Sequence, residues 1–290
     1  MITFKKLSQR PKTFARVTGL EIRPFLKFVD LIKSDWEKLE SKKQKAGRPQ
    51  KLKTLNDKIL CLLMYYRTYT CMLFLGWLFN IDDSNIARLF AKLEKIIAPH
   101  MSIKRLVNKE LSEDNLLELI IDVSEIPINR PKNKTKQRLN YSGKKKKHTA
   151  KYEIIRNKNT GKIVSISKVY FGKMHDFNIR KHENKRGNRI PDKYNVQIYA
   201  DSGYQGMQKM FQNAKVSLPK KRRKNHELTE EERAQNQVNA RQRISVEHSI
   251  GKMKKFKIIG EKYRNKLKKL PIKLINIAGL VNLASEFINV

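Results

Sequence analysis

Hydrophobic residues recur at helical spacing within the first forty residues of the chain. The residues that would share one helix face are Phe25, Phe28, Val29, Ile32 and Trp36. This spacing predicts an amphipathic helix. A basic stretch follows at 42–53 and contains Gly47 and Pro49, which interrupt regular structure. We therefore expect residues 1–50 to form an N-terminal helical arm that ends in a basic linker.

Three short helices are predicted in the next segment, residues 51–108. Thr54 and Asp57 resemble a capping box for the first helix, a second helix spans roughly 71–79, and Asp82 caps the third. The apolar face of the third helix would consist of Ile86, Leu89, Phe90, Leu93, Ile96 and Ile97. The residues left facing outward are Asn85, Arg88, Lys92 and Lys95. A short helix, a tight turn and a helix with a basic outer face are typical of a helix-turn-helix, but a structural three-helix bundle has the same pattern.

From about residue 111 the pattern changes to strands. Residues 116–123 form a mostly apolar run with Asp122 near its end. The segments 152–156 and 162–171 alternate between apolar and polar residues around a turn, which predicts a hairpin.

Helices and strands follow that hairpin in turn. The predicted elements are, in chain order, a helix over 175–185, strands over 196–200 and 215–218, a long helix after residue 229 and a terminal helix over 274–288. Asp201 directly follows the first of these strands. Glu247 lies near the middle of the long helix, which Thr229 and Glu232 cap. This succession predicts an α/β fold over residues 111–290, with a mixed sheet flanked by helices.

The chain is strongly basic. Its 64 Lys and Arg residues face 27 Asp and Glu residues, which gives a formal net charge of +37. Nucleic acid is therefore the expected partner, although an AT-rich genome would contribute part of the lysine excess. The densest basic segment, from Arg130 to His148, is predicted to be a loop. Its candidate phosphate contacts are Arg130, Lys144, Lys145, Lys146 and Lys147. The run 220–224 is interpreted as a phosphate-binding linker rather than a nuclear signal.

Cysteine usage and hydropathy argue against secreted and membrane proteins. Cys61 and Cys71 lie in apolar runs without metal-binding spacing, so we expect neither a disulfide nor a zinc site. The apolar runs 59–66 and 71–79 are far shorter than the roughly 20 residues of a membrane span. Met1–Lys6 leads into a charged segment without the apolar core of a signal peptide. We expect a soluble, cytoplasmic protein with no membrane partner.

Three carboxylates stand where phosphodiester chemistry would need them. Two metal ions roughly 3.5–4 Å apart activate an attacking oxygen and stabilise the leaving one, and Mg²⁺ prefers hard oxygen ligands. Asp122 and Asp201 adjoin apolar strands, where an ionised carboxylate is costly unless it is paired or metal-bound. Glu247 would reach them from a helix. A structural interpretation stays open, in which Asp122 is a turn cap, Asp201 forms an Asx-turn, and Glu247 pairs with Arg243.

Eight segments resemble one family, in order along nearly the whole chain. They are GRPQKL (47–52), LLMYYRTYT (62–70), FNIDDSNIARL (79–89), IDVSEIPINRP (121–131), YSGKKKKHT (141–149), FGKMHD (171–176), ADSGYQG (200–206) and RISVEHSIGKMKKF (243–256). Together they resemble bacterial insertion-sequence transposases of the DDE class, which are related to the Harbinger-type elements. The resemblance implies an RNase H-like catalytic domain over 111–290, preceded by a DNA-binding helix-turn-helix over 51–108.

The resemblance also implies roles for single residues. Asp122, Asp201 and Glu247 would be the catalytic triad and the ligands of two Mg²⁺ or Mn²⁺ ions. The arginine four residues before the glutamate and the lysine seven residues after it, both expected to contact DNA, are matched by Arg243 and Lys254. The tyrosine that some relatives carry seven residues before the glutamate is Ala240 here, which puts in doubt any role for a tyrosine at that place.

The implied function is binding of transposon ends, strand cleavage and transfer to target DNA, by a homo-oligomer associated with the bacterial nucleoid. A non-catalytic DNA-binding protein, either a regulator or an inactive transposase, stays open. A structural RNA-binding protein is disfavoured because no aromatic stacking motif stands out. Asp176 is a competing acid near a predicted helix start, and we interpret it as structural or as supporting the metal ligands.

Overall fold

Packing divides the chain into two compact units. The computed structural model describes residues 1–42, 50–101, 103, 116–222 and 227–287. Unit 1 comprises Met1–Ser102, Lys252–Glu261 and Ile272–Val290, and unit 2 comprises Ile103–Gly251 and Lys262–Pro271. Three predicted features lie outside the described residues: Gly47 and Pro49 of the linker, the domain boundary at 108–111, and Arg223 and Lys224 of the basic run.

Helices dominate unit 1, and unit 2 mixes strands and helices. The helices of the described chain are α1 (Phe4–Leu7), α2 (Pro11–Thr18), α3 (Ile22–Ser41), α4 (Leu55–Thr68), α5 (Met72–Phe79), α6 (Asp83–His100), α7 (Lys134–Asn140), α8 (Asp176–Lys185), α9 (Glu230–Lys254), α10 (Lys257–Gly260) and α11 (Leu270–Glu286). The strands are β1 (Leu117–Pro127), β2 (Tyr141–Ser142), β3 (Lys147–Asn157), β4 (Ile163–Ile166), β5 (Tyr170–Phe171), β6 (Val196–Tyr199) and β7 (Lys215–Ser217). Among these helices, none combines the length and apolar character that crossing a membrane requires.

Unit 1 is built around α4, whose residues from Asp57 to Tyr66 are all buried. The helices α2, α3, α5, α6 and α10 pack around it. The apolar stripe predicted on α3 is buried as expected, and Phe25 packs edge-on against Phe14 with 5.1 Å between ring centroids. Thr54 caps α4 as predicted, because its Oγ1 accepts a hydrogen bond from the Asp57 N–H at 3.1 Å.

The predicted helix, tight turn and helix are confirmed in α5 and α6. Asn80 ends α5 with a φ of 51°, a left-handed conformation that asparagine tolerates better than most residues. Gly76 leaves room for this turn, since a Cβ there would lie 2.5 Å from the Ile81 carbonyl oxygen. Asp82 caps α6 by accepting a hydrogen bond from the Ser84 N–H at 2.9 Å. The residues predicted to face outward, Asn85, Arg88, Lys92 and Lys95, are all exposed.

A buried polar cluster ties α11 to the core of unit 1. Lys273 of α11 is 4% exposed and forms an ion pair with Glu94 of α6. Tyr66 of α4 donates a hydrogen bond to the same carboxylate at 2.9 Å. A buried charge is tolerated only when it is paired and hydrogen-bonded, so these three helices depend on one another.

Unit 2 contains a mixed sheet in the order β2–β3–β1–β6–β7, with β4 and β5 also paired to β3. β1 is antiparallel to β3, whereas β6 runs parallel to β1 and β7 runs parallel to β6. The buried residues that form the main core cluster of this sheet include Leu119, Ile121, Ile155, Val196, Ile198, Ala200 and Tyr204. The predicted fold class is confirmed as α/β, with a mixed sheet, helices and an N-terminal all-α region.

The segment from Arg130 to His148 differs from its prediction as a loop. It contains α7 and β2, and its last residues begin β3. Asn133 caps α7 by accepting a hydrogen bond from the Lys136 N–H at 3.0 Å, and Asn140 donates back to the Lys136 carbonyl oxygen at 2.9 Å. These side-chain hydrogen bonds satisfy backbone groups of α7 and help this lysine-rich segment to form a helix.

At the C-terminal end, α11 packs within unit 1. The division that assigns residues 111–290 to one catalytic domain stays a prediction. The packing is close, because a Cβ on Gly279 of α11 would lie 2.2 Å from the Met101 sulfur. The apolar face of α11 therefore completes the helical core rather than covering the sheet.

We predict that Lys273→Ala destabilises unit 1, because Glu94 is then buried without its cation. Removing one partner of a buried ion pair costs about 3–5 kcal/mol, and urea denaturation measures this loss in the free energy of unfolding. Lys257→Ala is the matched control. Its exposed pair with Glu261, at 3.4 Å, is worth less than about 1 kcal/mol. Equal destabilisation by the two variants would contradict the importance of the buried pair.

Candidate active site

Strand pairing brings the first two candidate carboxylates together. β1 and β6 are parallel neighbours in the register Leu119↔Ile198 and Ile120↔Tyr199. The same register, continued by two residues, sets Asp122 level with Asp201. Adjacent strands lie about 4.8 Å apart, and residues at the same level point to the same face. Both carboxylates therefore enter one space at the carboxyl end of β6.

Backbone donors fix both carboxylates. Asp122 Oδ1 accepts a hydrogen bond from the Val123 N–H at 2.8 Å. Asp201 Oδ1 accepts one from the Gly203 N–H at 2.7 Å and so caps the short 3-10 helix Ser202–Tyr204. Asp201 thus forms the Asx-turn that a structural role predicts while it also faces Asp122.

The electrostatic environment of Asp122 disfavours its charged form. The pKa of Asp122 is raised to about 6, mainly by burial. The negative charges of Asp201 and Asp176 add to the rise, and the hydrogen bond from Val123 and the charge of Arg243 oppose it. A carboxyl in this state gains most from a nearby cation, because the cation offsets both the lost hydration and the like charges.

A cavity of about 230 Å³ opens beside these carboxylates. Its acidic lining residues are Asp122, Glu125, Asp176 and Asp201. Lys151, Lys144, Lys173 and Tyr141 also line it. The cavity therefore combines a concentration of oxygen ligands with cations and one exposed aromatic ring.

Lys151 carries the counter-charge inside this cavity. Its side chain is 12% exposed, and Nζ donates hydrogen bonds at 2.9 Å to Asp176 Oδ1 and to the Met174 carbonyl oxygen. Nζ also lies 3.8 Å from Glu125 Oε1, while Thr149 Oγ1 donates to the other oxygen of Glu125 at 2.7 Å. Asp176 and Glu125 are thus paired with lysine, whereas Asp122 and Asp201 are held by backbone donors.

Gly203 allows the carboxylates to approach one another. A Cβ at this position would lie 2.8 Å from Asp176 Oδ2 and 2.9 Å from Asp201 Oδ1. Any side chain here would push against both acids. The glycine that follows Asp201 by two residues therefore serves close packing of charged groups as well as the turn.

Buried hydrogen bonds hold the segment that follows Asp201. Tyr204 is fully buried and donates to Glu153 Oε2 at 3.1 Å. Arg180 of α8 donates to Glu153 Oε1 at 2.7 Å and to the Asn188 carbonyl oxygen. Since β3 supplies Glu153, the sheet and α8 together fix the position of the loop that carries Asp201.

The third candidate, Glu247, lies on α9. Arg243 of this helix acts on Asp122 electrostatically, and its Nε is buried with no hydrogen-bond partner among the described residues. Glu247 is one turn further along the same helix face and is exposed. It does not line the cavity of Asp122 and Asp201. In the ranges that the structure describes, no group of three acidic, histidine or cysteine side chains is arranged to hold a metal ion.

The donors present nevertheless suit a divalent cation. Carboxylate oxygens are the hard ligands that Mg²⁺ and Mn²⁺ prefer. Asp122 supplies them from within β1 and Asp201 from directly after β6, and burial is the main cause of the raised pKa of Asp122, so a nearby cation would favour its charged form. Asp122 and Asp201 therefore fit a divalent metal.

In unit 1, the candidate DNA-binding residues line a separate groove of about 420 Å³. Asn85, Arg88 and Lys92 of α6 lie there together with Lys51 and Lys58. Lys58 is packed over the Trp36 ring, with its Nζ 5.1 Å from the ring centroid. The groove thus concentrates positive charge on the second helix of the helix-turn-helix. Lys254, at the end of α9, also belongs to unit 1.

In unit 2, the other basic candidates lie along the segment that contains α7. Arg130 donates from Nε and Nη2 to Gln137 Oε1 at 3.1 and 3.0 Å. The four lysines Lys144, Lys145, Lys146 and Lys147 are exposed at and beside the turn between β2 and β3. Exposed lysines in a turn suit contacts with phosphates rather than with base edges.

The sequence interpretation missed Lys151, Glu125 and Tyr141 as cavity residues. Glu125 and Lys151 stand directly opposite each other on β1 and β3. That pairing becomes visible only when β3 is known to begin at Lys147 rather than near residue 152. The sequence showed an acid, Glu125, on one strand and a base, Lys151, on the next. It did not show the strand register that places them opposite each other.

Comparison with known proteins places this arrangement in a family. Residues 121–282 match the family model described as DDE superfamily endonuclease, and residues 50–103 match the helix-turn-helix of DDE superfamily endonuclease. The chain belongs to the DDE superfamily of endonucleases. The DDE endonuclease is also 31% identical over 282 residues to the "Probable transposase for insertion sequence element IS702" of Microchaete diplosiphon, covering 96% of this chain and 95% of that relative.

Among solved structures, the DDE endonuclease is similar to the cryo-EM structure of the piggyBac transposase synaptic complex with hairpin DNA. The TM-score is 0.40 at 11% sequence identity, and the alignment covers 94% of this chain and 74% of that chain. The family expected from the sequence motifs is confirmed by the family models and by the relative of 31% identity.

We predict that Gly203→Ala lowers DNA cleavage by this DDE endonuclease about 100-fold, because the added methyl group displaces Asp176 and Asp201, and a displacement near 1 Å has an effect of that size. Single-turnover cleavage assays measure the rate, and DNA affinity should be unchanged. Gly251→Ala is the control, since nothing lies within 4 Å of its added Cβ. Wild-type cleavage by Gly203→Ala would show that the acids tolerate the displacement.

Proposed function

We propose that this DDE endonuclease is the transposase of an insertion sequence. It binds the ends of the element, cleaves the DNA there to leave a 3′-hydroxyl, and joins that hydroxyl to target DNA. The observation that carries the proposal is the β1–β6 register, which sets Asp122 level with Asp201 in a shared cavity. The similarity to the probable IS702 transposase supports it over nearly the whole chain.

Asp122, Asp201 and Glu247 are the proposed metal ligands, for two Mg²⁺ or Mn²⁺ ions. DDE endonucleases depend on divalent metal, and when bound the metal would neutralise the scissile phosphate and increase the reactivity of the attacking oxygen. Asp122 supplies ligand oxygens from within β1, and Asp201 supplies them from just after β6. Glu247 supplies the third set of ligand oxygens from α9. It lies on the same face of this helix as Arg243, whose charge acts on Asp122. Its exposed position requires that its side chain or α9 moves when metal and DNA bind.

The remaining charged residues of the cavity position these ligands. Lys151 pairs with Asp176 at 2.9 Å and lies 3.8 Å from Glu125, so it offsets part of the charge of these two acids and leaves Asp122 and Asp201 without a lysine partner among the described residues. Arg243 is proposed to contact a DNA phosphate beside Asp122, because its buried guanidinium edge faces negative charge and has a donor to offer. The same site serves cleavage and joining, since both steps are in-line displacements at phosphorus.

The helix-turn-helix binds DNA, and we propose that α6 reads the element ends through Asn85, Arg88 and Lys92. Arg130, the lysines 144–147 and Lys254 would bind phosphates. The net charge of +37 favours tight association with long DNA over a wide surface. Because two ends must be held together for transfer, we expect a homo-oligomer on DNA.

The test is cleavage of a plasmid that carries the DNA flanking the gene, with purified protein in Mg²⁺ or in EDTA. We expect cuts at the ends of the element that need the metal. We expect Asp122→Asn, Asp201→Asn and Glu247→Gln each to reduce cleavage at least about 100-fold while DNA binding persists, because each removes a ligand charge.

Glu231→Gln is the matched control for these variants, because Glu231 is an exposed acid in the first turn of the same helix as Glu247. Loss of cleavage with Asp201→Asn but not with Glu247→Gln would move the third ligand to another acid. Binding without cleavage by the wild type would instead identify a non-catalytic DNA-binding protein.

We predict different effects for two basic residues of α6. Arg88→Ala should weaken binding to element ends by about 1–3 kcal/mol and relax the sequence preference, as loss of a base contact does. Lys92→Ala should weaken binding to all sequences and reduce the salt dependence by about one unit of slope. Fluorescence anisotropy over a salt series measures both, with Lys38→Ala of α3 as the control. Equal losses on specific and random DNA for Arg88→Ala would assign Arg88 to phosphate.

A further inference from the structure

We infer that Tyr141 is a stacking platform for an unpaired nucleobase of the DNA strand held at Asp122 and Asp201. The inference rests on the proposed cleavage function and adds a requirement to it: the DNA must open beside the phosphate that is cut. The class of ligand is a single nucleotide that has left the double helix.

The position of Tyr141 suggests this role. It begins β2 and lines the same cavity as Asp122 and Asp201, although α7 lies between it and Asp122 in the sequence. Tyr141 is a large side chain that stays exposed, with a relative solvent accessibility of 45%. A phosphate that reaches the carboxylates therefore brings its neighbouring nucleotides into the range of this ring.

The ring is held in place rather than mobile on a loop. Tyr141 pairs with His148 across β2 and β3, and the two rings meet at 74° with 5.7 Å between centroids. The turn that joins the strands is braced by the buried Ser142, whose Oγ accepts a hydrogen bond from the Lys145 N–H at 3.2 Å. A preorganised aromatic ring costs little further ordering when it binds a flat partner.

The charges around Tyr141 select a nucleic-acid strand. Lys144 and Lys173 line the cavity beside it and can hold the phosphates on either side of one nucleotide. The acids would lie at the phosphate that is cut, and the lysines beside the ring would lie at the neighbouring phosphates of the same strand.

An exposed aromatic ring in this cavity selects an unpaired base over a base pair. In a duplex the faces of the bases are covered by their neighbours. An aromatic ring can therefore stack on a base only after that base has rotated out, which costs a few kcal/mol of unpairing. Stacking on Tyr141 offsets part of that cost.

The experiment compares Tyr141→Ala, Tyr141→Phe and the wild type on two DNA substrates. One is a fully paired element end, and the other carries a mismatch beside the mapped cleavage site, so that the base is already unpaired. Tyr141→Ala should slow cleavage of the paired substrate roughly 5- to 150-fold, the range that one base–aromatic stack is worth. The mismatch should recover most of that loss, and Tyr141→Phe should recover it on both substrates. Tyr194→Ala, at a tyrosine that is 82% exposed, is the control.

A second measurement does not depend on turnover. In the Asp201→Asn background, 5-iodouracil is placed at successive positions around the cleavage site and photo-crosslinked to the bound protein. We expect a crosslink to residue 141 from a position beside the cleaved phosphate, retained with Tyr141→Phe and lost with Tyr141→Ala.

Two results would overturn the stacking role. One is wild-type cleavage of paired DNA by Tyr141→Ala. The other is equal slowing on both substrates without a crosslink, which would indicate a structural effect. If the wild type binds but cuts neither substrate, the transposase proposal fails, while the crosslink still decides whether a base reaches Tyr141.

Discussion

The parallel pairing of β1 with β6 forces two carboxylates to share one space, and much of unit 2 is arranged around their repulsion. Asp122 and Asp201 stand level on neighbouring strands, so neither can withdraw without a shift of the sheet register. Lys151 offsets one of the two charges of Asp176 and Glu125, and the missing side chain of Gly203 lets Asp176 and Asp201 both approach. The buried Glu153–Arg180–Tyr204 contacts hold the loop that follows. The fold thus maintains a negative site whose strain a metal ion would relieve.

Features that depend on local sequence could be predicted. An acid in or directly after an apolar run identified Asp122 and Asp201, because a charge beside a buried strand has few explanations. The strand end expected near Asp122 was wrong, since β1 continues to Pro127. The start of α9 was predicted from Thr229 and Glu232, whose side chains cap each other's backbone N–H groups at 3.2 Å. Helical spacing likewise separated the buried and exposed sides of α6. The functional roles of the triad and of the basic residues stay predictions.

Features that depend on distant partners could not be predicted. Lys151 joins the cavity through strand register, which no run of residues encodes alone. The helix α7 was not predicted, because the high density of lysines suggested a loop. Hydrogen bonds made by two asparagines stabilise the helix instead. The direction in which Glu247 points depends on which face of α9 packs against the sheet, and the motif around Glu247 does not specify that face. The side chain of Glu247 is exposed. The packing of α11 within unit 1 has no sequence signal beyond its apolar composition.

The Glu94–Lys273 contact joins residues 179 positions apart and has a consequence for protein synthesis. A ribosome delivers α6 long before it delivers α11, so the helix-turn-helix completes its core only when nearly all of the described chain has been made. A translation product that stops within unit 2 would lack α11, so Glu94 would have no Lys273 to pair with and the apolar residues that α11 covers would be exposed. We therefore expect such a fragment to be less stable than the whole chain. The helices α4, α5 and α6 thus depend for their stability on a segment that is synthesised after the sheet.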